Sequence, residues 1–186
     1  MAERDGIKVL KDEHRRMVEL FQQIEETPIT NGDRRKAVFE QVSTALSVHA
    51  VAEEELLYPL LRRSVPDGER LVEHALDEHQ TVKETLARLE RMSADNLDFE
   101  GELRTLMTNV REHIQEEEGE LLPLLRQHVD QKTLDALGPQ LQAAEAMAPT
   151  RPHPNAPNTP PGNVLAGAGA MIVDKARDVI QGRGKE

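Results

Sequence analysis

The chain has 186 residues, with 34 Asp and Glu against 23 Lys and Arg and a formal charge of −11 at pH 7. Such a length supports one ordinary hydrophobic core, and the acidic balance argues against nucleic acid or an anionic membrane as partner, since both demand basic patches. The absence of Cys removes disulfides, zinc–thiolate sites and iron–sulfur clusters, and one Tyr, three Phe and no Trp are too few aromatics for a typical β core.

The opening MAERDGIKVLKDEH lacks the basic-then-apolar pattern of a secretion signal, and no run of about 18 apolar residues offers a membrane span, so a cytoplasmic location is expected. Leu, Ala, Glu, Gln and Arg, all good helix formers, dominate. In the first segment Ile7, Leu10, Met17, Phe21 and Ile24 recur at steps of three and four and stop at Thr27-Pro28. The second, near 33–63, carries Val38, Val42, Leu46, Leu57 and Leu61 as its stripe. A third, near 67–92, carries Leu71, Ala75, Val82, Leu86 and Leu89, and a fourth, near 98–128, Leu103, Leu106, Val110, Leu121 and Leu124. These periods predict an all-α protein, an antiparallel up-and-down four-helix bundle joined by short polar loops. Residues 1–137 are expected to form that domain. Residues 138–186 are expected to form a Pro-rich linker, from Pro149 to Pro161, followed by a short amphipathic segment that docks on the bundle, meets a protein partner or is loosely ordered.

An internal repeat organises the bundle. Asp12-Glu13-His14 matches Asp77-Glu78-His79, and HAVAEEELLYPLLR from His49 matches HIQEEEGELLPLLR from His113 at eight of fourteen positions. Each half has the form Asp-Glu-His, then His-x-x-x-Glu-Glu. His14, His49, Glu53, His79, His113 and Glu117 all occupy stripe positions where the period calls for Leu, and a residue at i+4 faces nearly the same way as residue i. One His on an apolar stripe is more often a hydrogen-bonded core residue than a ligand. Four of them with two matched glutamates would cost several kcal/mol each if left unpaired, roughly more than a domain's whole stability. Mutual hydrogen bonds satisfy some of these groups, and a metal satisfies all.

Imidazole and carboxylate without thiolate suit iron, manganese or zinc. Six ligands exceed one tetrahedral zinc and divide into two sets of three. Ferritin-like bundles use Glu-x-x-His, and no His here has a Glu three residues before it. The ordered set His14, His49-x-x-x-Glu53, His79, His113-x-x-x-Glu117 resembles the hemerythrin-like family of HHE cation-binding, non-haem di-iron proteins over about residues 5–130, and the tail's Arg151-Pro152-His153-Pro154 suggests members of actinobacterial type. The resemblance implies an oxo- or hydroxo-bridged pair of iron ions with both glutamates bridging. Oxygen carriers of the family have a fifth His on the third helix, four residues from its partner, and a final Asp. This chain has no His four residues from His79, and its last carboxylate is Glu117.

Around this set, His74 is the one candidate for a fifth ligand, but five residues before His79 it lies about 140° away and would need a bulge to turn inward. His128 and His153 are expected at the surface. Tyr58 is expected to pack at the bundle end or, alternatively, to reach the metal or its bound oxidant as a catalytic phenol. Glu13 and Glu78 are placed to orient the histidines of neighbouring helices, while Glu54 and Glu118 point toward solvent or behind the ligands. Pro59 and Pro123 are expected to kink or end their helices. The implied function is redox chemistry with small oxidants, hydrogen peroxide or nitric oxide. The alternatives are oxygen or iron sensing with the tail as reporter, and reversible O2 binding.

Overall fold

The structure, a computed structural model, describes residues 5–160 and 162–181. Every regular element among these residues is helical. Helix α1 (Gly6–Glu26) starts on Asp5, whose carboxylate accepts from the Lys8 amide at 2.9 Å, and ends where Pro28 forbids a further turn. Helix α2 (Gly32–Ala52) is capped by Asn31 and runs into a π-helical turn, Glu53–Leu57, which α3 (Tyr58–Ser64) continues. After α4 (Gly68–Arg91), the same design recurs in α5 (Phe99–Glu116), a π turn at Glu117–Leu121, and α6 (Leu122–His128). Helices α7 (Gln131–Met147) and α8 (Gly162–Gln181) complete the fold.

The π turns sit at matched positions of the repeat. In each, an amide reaches back five residues, Tyr58 to the Glu53 carbonyl and Leu122 to the Glu117 carbonyl. Pro59 and Pro123, which have no amide hydrogen to give, fall in the first turn where the α-helix resumes. The helices therefore widen before each Pro and go on, rather than ending there. Between α3 and α4 the chain reverses through Asp67, at φ 56°, and Gly68, where any Cβ would run into the Leu61 carbonyl.

Two apolar clusters fill the interior. One gathers Leu10, Leu57, Leu61, Val72, Leu125 and Leu141, and the other Phe21, Phe39, Val42, Leu86, Phe99 and Leu103. Along each helix the polar site residues fall between them, as His14 does between Leu10 and Met17. Arg35 fastens the far end. Its guanidinium pairs with Glu100 at 2.7 and 2.5 Å and donates to the carbonyls of Ile24, in the last turn of α1, and of Thr27, which caps it.

The region after residue 128 differs from its sequence reading. Helix α7 spans the boundary expected at 137/138, and its Leu134, Leu137 and Leu141 join the first apolar cluster. Pro139 hides this helix from a propensity argument, but Asp130 caps it and three buried leucines hold it down. Contact is close at Gly6, where a Cβ would stand 2.6 Å from the Leu137 side chain. Residues 148–160 are non-helical, as their prolines require, and they cross α4 to reach α8. That last helix docks on the chain. Asp174, 1% exposed, receives hydrogen bonds from the Arg151 amide and the His153 ring, while Asp178 receives them from Thr150 and Arg151. His153, expected at the surface, keeps a side-chain exposure of 38% and also joins the tail to α8. Among the described residues, no helix is long and apolar enough to cross a membrane.

Candidate metal centre

His14, His49, Glu53, His79, His113 and Glu117 are all buried and converge on one place. They form two groups that share Glu53, each able to hold a metal cation: His14, His49, Glu53 and Glu117, and Glu53, His79 and His113. Glu53 stands between the halves, with one oxygen 3.2 Å from His49 Nε2 and the other 3.3 Å from His79 Nε2. Glu117 comes 3.1 Å from His14 Nε2. The helical phase explains the convergence, because each His-x-x-x-Glu pair lies on the inward face where an α-helix ends and the π turn begins at the Glu.

The outer nitrogens have partners of their own. His49 Nδ1 lies 2.8 Å from Glu13, His113 Nδ1 2.8 Å from Glu78, His79 Nδ1 3.0 Å from Glu54 and His14 Nδ1 2.9 Å from Glu118. A carboxylate only accepts, so each ring carries its proton on Nδ1 and, when neutral, turns the Nε2 lone pair inward. The Nε2 atoms of His14 and His49 then face each other at 3.3 Å, as do those of His79 and His113. All four oxygens of Glu53 and Glu117 are buried without a hydrogen bond in acceptable geometry, close though the imidazoles are. Lone pairs and carboxylate charge pointing at one another are stable only around a cation, so the donor set fits metal.

Without metal, protons take that place. Burial pushes His49 and His79 toward neutrality, but the carboxylates outweigh it: Glu53 and Glu13 hold His49 well above its ordinary value, and Glu53 and Glu54 raise His79 to about 9. His14 is raised in the same way, with Glu117 opposing the effect of burial. Burial would raise Glu53, yet the facing His49 and His79 hold it well below the usual carboxylate range.

The residues around the six divide as follows. Glu13 and Glu78 do orient the histidines of adjacent helices, and Glu54 and Glu118, whose role the sequence left between solvent and ligand support, do the same for His79 and His14. Tyr58 is fully buried with its hydroxyl 3.0 Å from His79 Nε2, so it belongs to the apolar end of the core and also touches the site. Burial and the surrounding glutamates, Glu53 foremost, keep its phenol protonated well above the ordinary range. His74 points away, 61% exposed, with Nε2 3.1 Å from Glu116 and 3.7 Å from Glu78. His128 is exposed at the end of α6. Sequence reasoning missed Lys83, which is buried beside Glu54 at 2.7 and 2.8 Å; its signal was a Lys four residues after His79, next to the stripe residue Val82.

Two cavities adjoin the centre. One, of about 220 Å³, runs from Arg70, His74 and Glu116 to His113 and Glu117. The other, of about 20 Å³, is an apolar space among Met17, Leu46, Val82, Leu86 and Val110, beside His49, His79 and His113.

A family model described as the hemerythrin HHE cation binding domain matches residues 5–125, a stretch that contains all six converging residues. The chain belongs to the hemerythrin HHE family. A hemerythrin-like protein of Schizosaccharomyces pombe is 34% identical over 137 residues, which is 73% of this chain and 68% of that protein. A protein of Nostoc sp. named DNA nickase is 25% identical over 138 residues, 74% of this chain but 38% of the relative's own length. The crystal structure of a hemerythrin HHE cation binding domain-containing protein from Mycobacterium kansasii superposes with a TM-score of 0.67 at 27% identity, covering 76% of this chain and 85% of that one. Membership of a cation-binding hemerythrin family agrees with a donor set that needs a cation.

Proposed function

We propose that this hemerythrin-family protein is an antiparallel four-helix bundle holding two iron ions on His14, His49, His79 and His113, with Glu53 and Glu117 between them, and that it reacts with hydrogen peroxide or nitric oxide. The observation that carries the reading is the inward-facing set itself. Four imidazole Nε2 atoms and four orphaned carboxylate oxygens converge there, with every Nδ1 already committed to a carboxylate. Six ligating side chains, one of them the shared Glu53, suit two ions, and nitrogen–oxygen ligation without sulfur suits iron.

When bound, an iron pair supplies reversible one-electron changes at each metal. The protein's own groups do the rest. Glu13, Glu54, Glu78 and Glu118 fix each imidazole's orientation and tautomer. Leu57, Leu121 and Val82 help to keep bulk water out. Tyr58 keeps its proton and presents a hydroxyl at the His79 side, where it can donate to a bound oxidant. The small apolar space leaves room beside His49, His79 and His113 for a diatomic or peroxide ligand. Peroxide disproportionation balances without another reductant, since two molecules of peroxide give two of water and one of dioxygen. Nothing in this reading involves nucleic acid, and the nickase name belongs to a relative most of whose length lies outside the match.

A second reading, sensing, draws on the contact between tail residue Asn158 and Lys83, which leads through Glu54 to His79. The deciding experiment is the visible spectrum of the iron-loaded, anaerobically reduced protein as air is admitted and then purged. A permanent diferric spectrum, with peroxide consumed on addition, supports the enzyme. A band that vanishes on purging replaces it with a carrier or sensor, and the absence of any iron band removes the centre.

A further inference from the structure

The four carboxylates behind the histidines are not equivalent. Glu13, Glu78 and Glu118 keep side-chain exposures of 21, 23 and 32%, so water screens their charge. The Glu54 side chain is 1% exposed and lies against Lys83, itself 9% exposed. The Lys83 ammonium reaches both Glu54 oxygens, at 2.7 and 2.8 Å, and spends its remaining donor on Asn158 Oδ1 at 3.2 Å. Lys83 stands one turn after His79 on α4, so one helix supplies both the imidazole and the cation that hold Glu54, and the two meet at its Oε1. At the matched place in the first half the chain has Val18. Glu118 there meets Lys11 at 3.4 Å, on a side chain 42% exposed.

We propose that Lys83 is a positioning residue that sets the redox balance of the metal on the His79 side; this rests on the di-iron reading above. A carboxylate on an imidazole Nδ1–H draws the proton toward itself, makes Nε2 a stronger donor and favours the more highly charged metal. Lys83 takes up much of Glu54's charge and so weakens that push at His79, in an environment where little water screens the pair. His14, His49 and His113 keep unneutralised or water-screened carboxylates. A metal held by His79 would therefore be the more easily reduced of the two. Asn158 fixes the third Lys83 hydrogen bond, so the tail holds the ammonium on Glu54.

The test is a spectroelectrochemical titration of the full-length, iron-loaded protein and its variants, with Mössbauer spectra of each half-reduced form. Lys83→Met keeps the aliphatic stem and removes the charge. It is expected to shift one metal's ferric/ferrous balance toward ferric by about tenfold, the scale of one charge acting across a short buried chain at an effective dielectric of about 20. Glu54→Gln is expected to shift the same metal the opposite way, and Lys83→Arg to stay near the wild type. A merely structural role would move both variants together, through loss of iron. Shifts of the same sign, or none, in variants that hold full iron overturn the proposal. If Lys83→Met does not fold, the sign of the Glu54→Gln shift decides. A wild-type chain that takes up no iron overturns the centre and this inference with it, whereas unchanged potentials in a loaded protein overturn the inference alone.

Discussion

Helices α1 and α2 carry His14 and His49 under a cover formed by α7, whose Glu145 comes within metal-coordinating range of Glu13 and His49. Helix α4, which carries His79, is crossed instead by the tail: Gln80 donates to the Pro154 carbonyl, Lys83 to Asn158, and Arg151 pairs with Glu90. The two halves thus match in the residues that converge and in the glutamates behind them, Glu13 with Glu78 and Glu54 with Glu118, and differ around that set. Tyr58 corresponds to Leu122, Lys83 to Val18 and His74 to Val9. Positions that face a cation are tied to one chemistry, since any change strands a buried charge. Beyond the histidines and their glutamates the halves differ: the second has the buried Lys83, while the first lies beneath Glu145 of α7, which burial and the nearby Glu13 raise to about 8.

The largest effects should ignore the difference between halves. His49→Ala and His113→Ala, at matched positions, are each expected to lose at least one of two irons by metal analysis. They should also lose most of the stabilisation that bound metal confers, about 4 kcal/mol at a thousandfold excess over Kd. A variant that keeps both irons would remove its histidine from the ligand set. Next, Leu141→Ala opens a cavity under α7, since Leu141 is fully buried. A loss of about 3 kcal/mol by urea unfolding with both irons retained is expected, and loss of iron would show that the cover on the first half shapes the site.

The metal-free protein should show a pH dependence to which both halves contribute, since His14 and His49 are raised as well as His79. His79 is raised from 6.5 to about 9, so its stabilising contribution is fully present below about pH 6.5 and disappears as pH climbs through about 9. Chelated protein is expected to unfold at lower urea at pH 9.5 than at pH 6, by on the order of 2 kcal/mol; a flat profile would place the cationic charge elsewhere. Tyr58→Phe removes a buried hydroxyl from His79 and should cost about 1 kcal/mol. It should also alter the iron spectrum, and an unchanged spectrum would leave Tyr58 to packing. His74→Ala is expected to retain both irons and to shift stability by less than about 0.5 kcal/mol. Loss of one iron would mean that α4 turns that side chain inward.

The inward set was legible because its signal is categorical: ionisable residues sit at Leu positions, in matched order, twice. Helical phase then sufficed to place His14, His49, Glu53, His79, His113 and Glu117 together and to keep His74 out. What lay beyond reach depends on other parts of the chain. Glu54 and Glu118 belong behind His79 and His14 because of how helices stack, which period alone does not encode. The burial of Lys83 depends on a tail 75 residues away in sequence. Helix α7 was obscured by Pro139, although Asp130 and the spacing of Leu134, Leu137 and Leu141 mark it. The π turns left little trace in composition, since Glu53–Leu57 reads as ordinary helix formers and only Gly119 interrupts that reading in Glu117–Leu121.

Those π turns also set a length rule for the gene. Each adds one residue to a rod that would otherwise close as a plain α-helix. Gly119 is exposed and has open space where a Cβ would go, and a substitution there is sterically free. Removing Gly119 altogether would take away the residue that the π turn absorbs and let the segment close as a plain α-helix, with Leu121, Leu122 and Leu125 still on the core side. Removing a residue from the plain helix beyond it, where no wide turn absorbs the change, would instead swing the following side chains by about 100°. Length is tolerated at the turn and constrained beyond it.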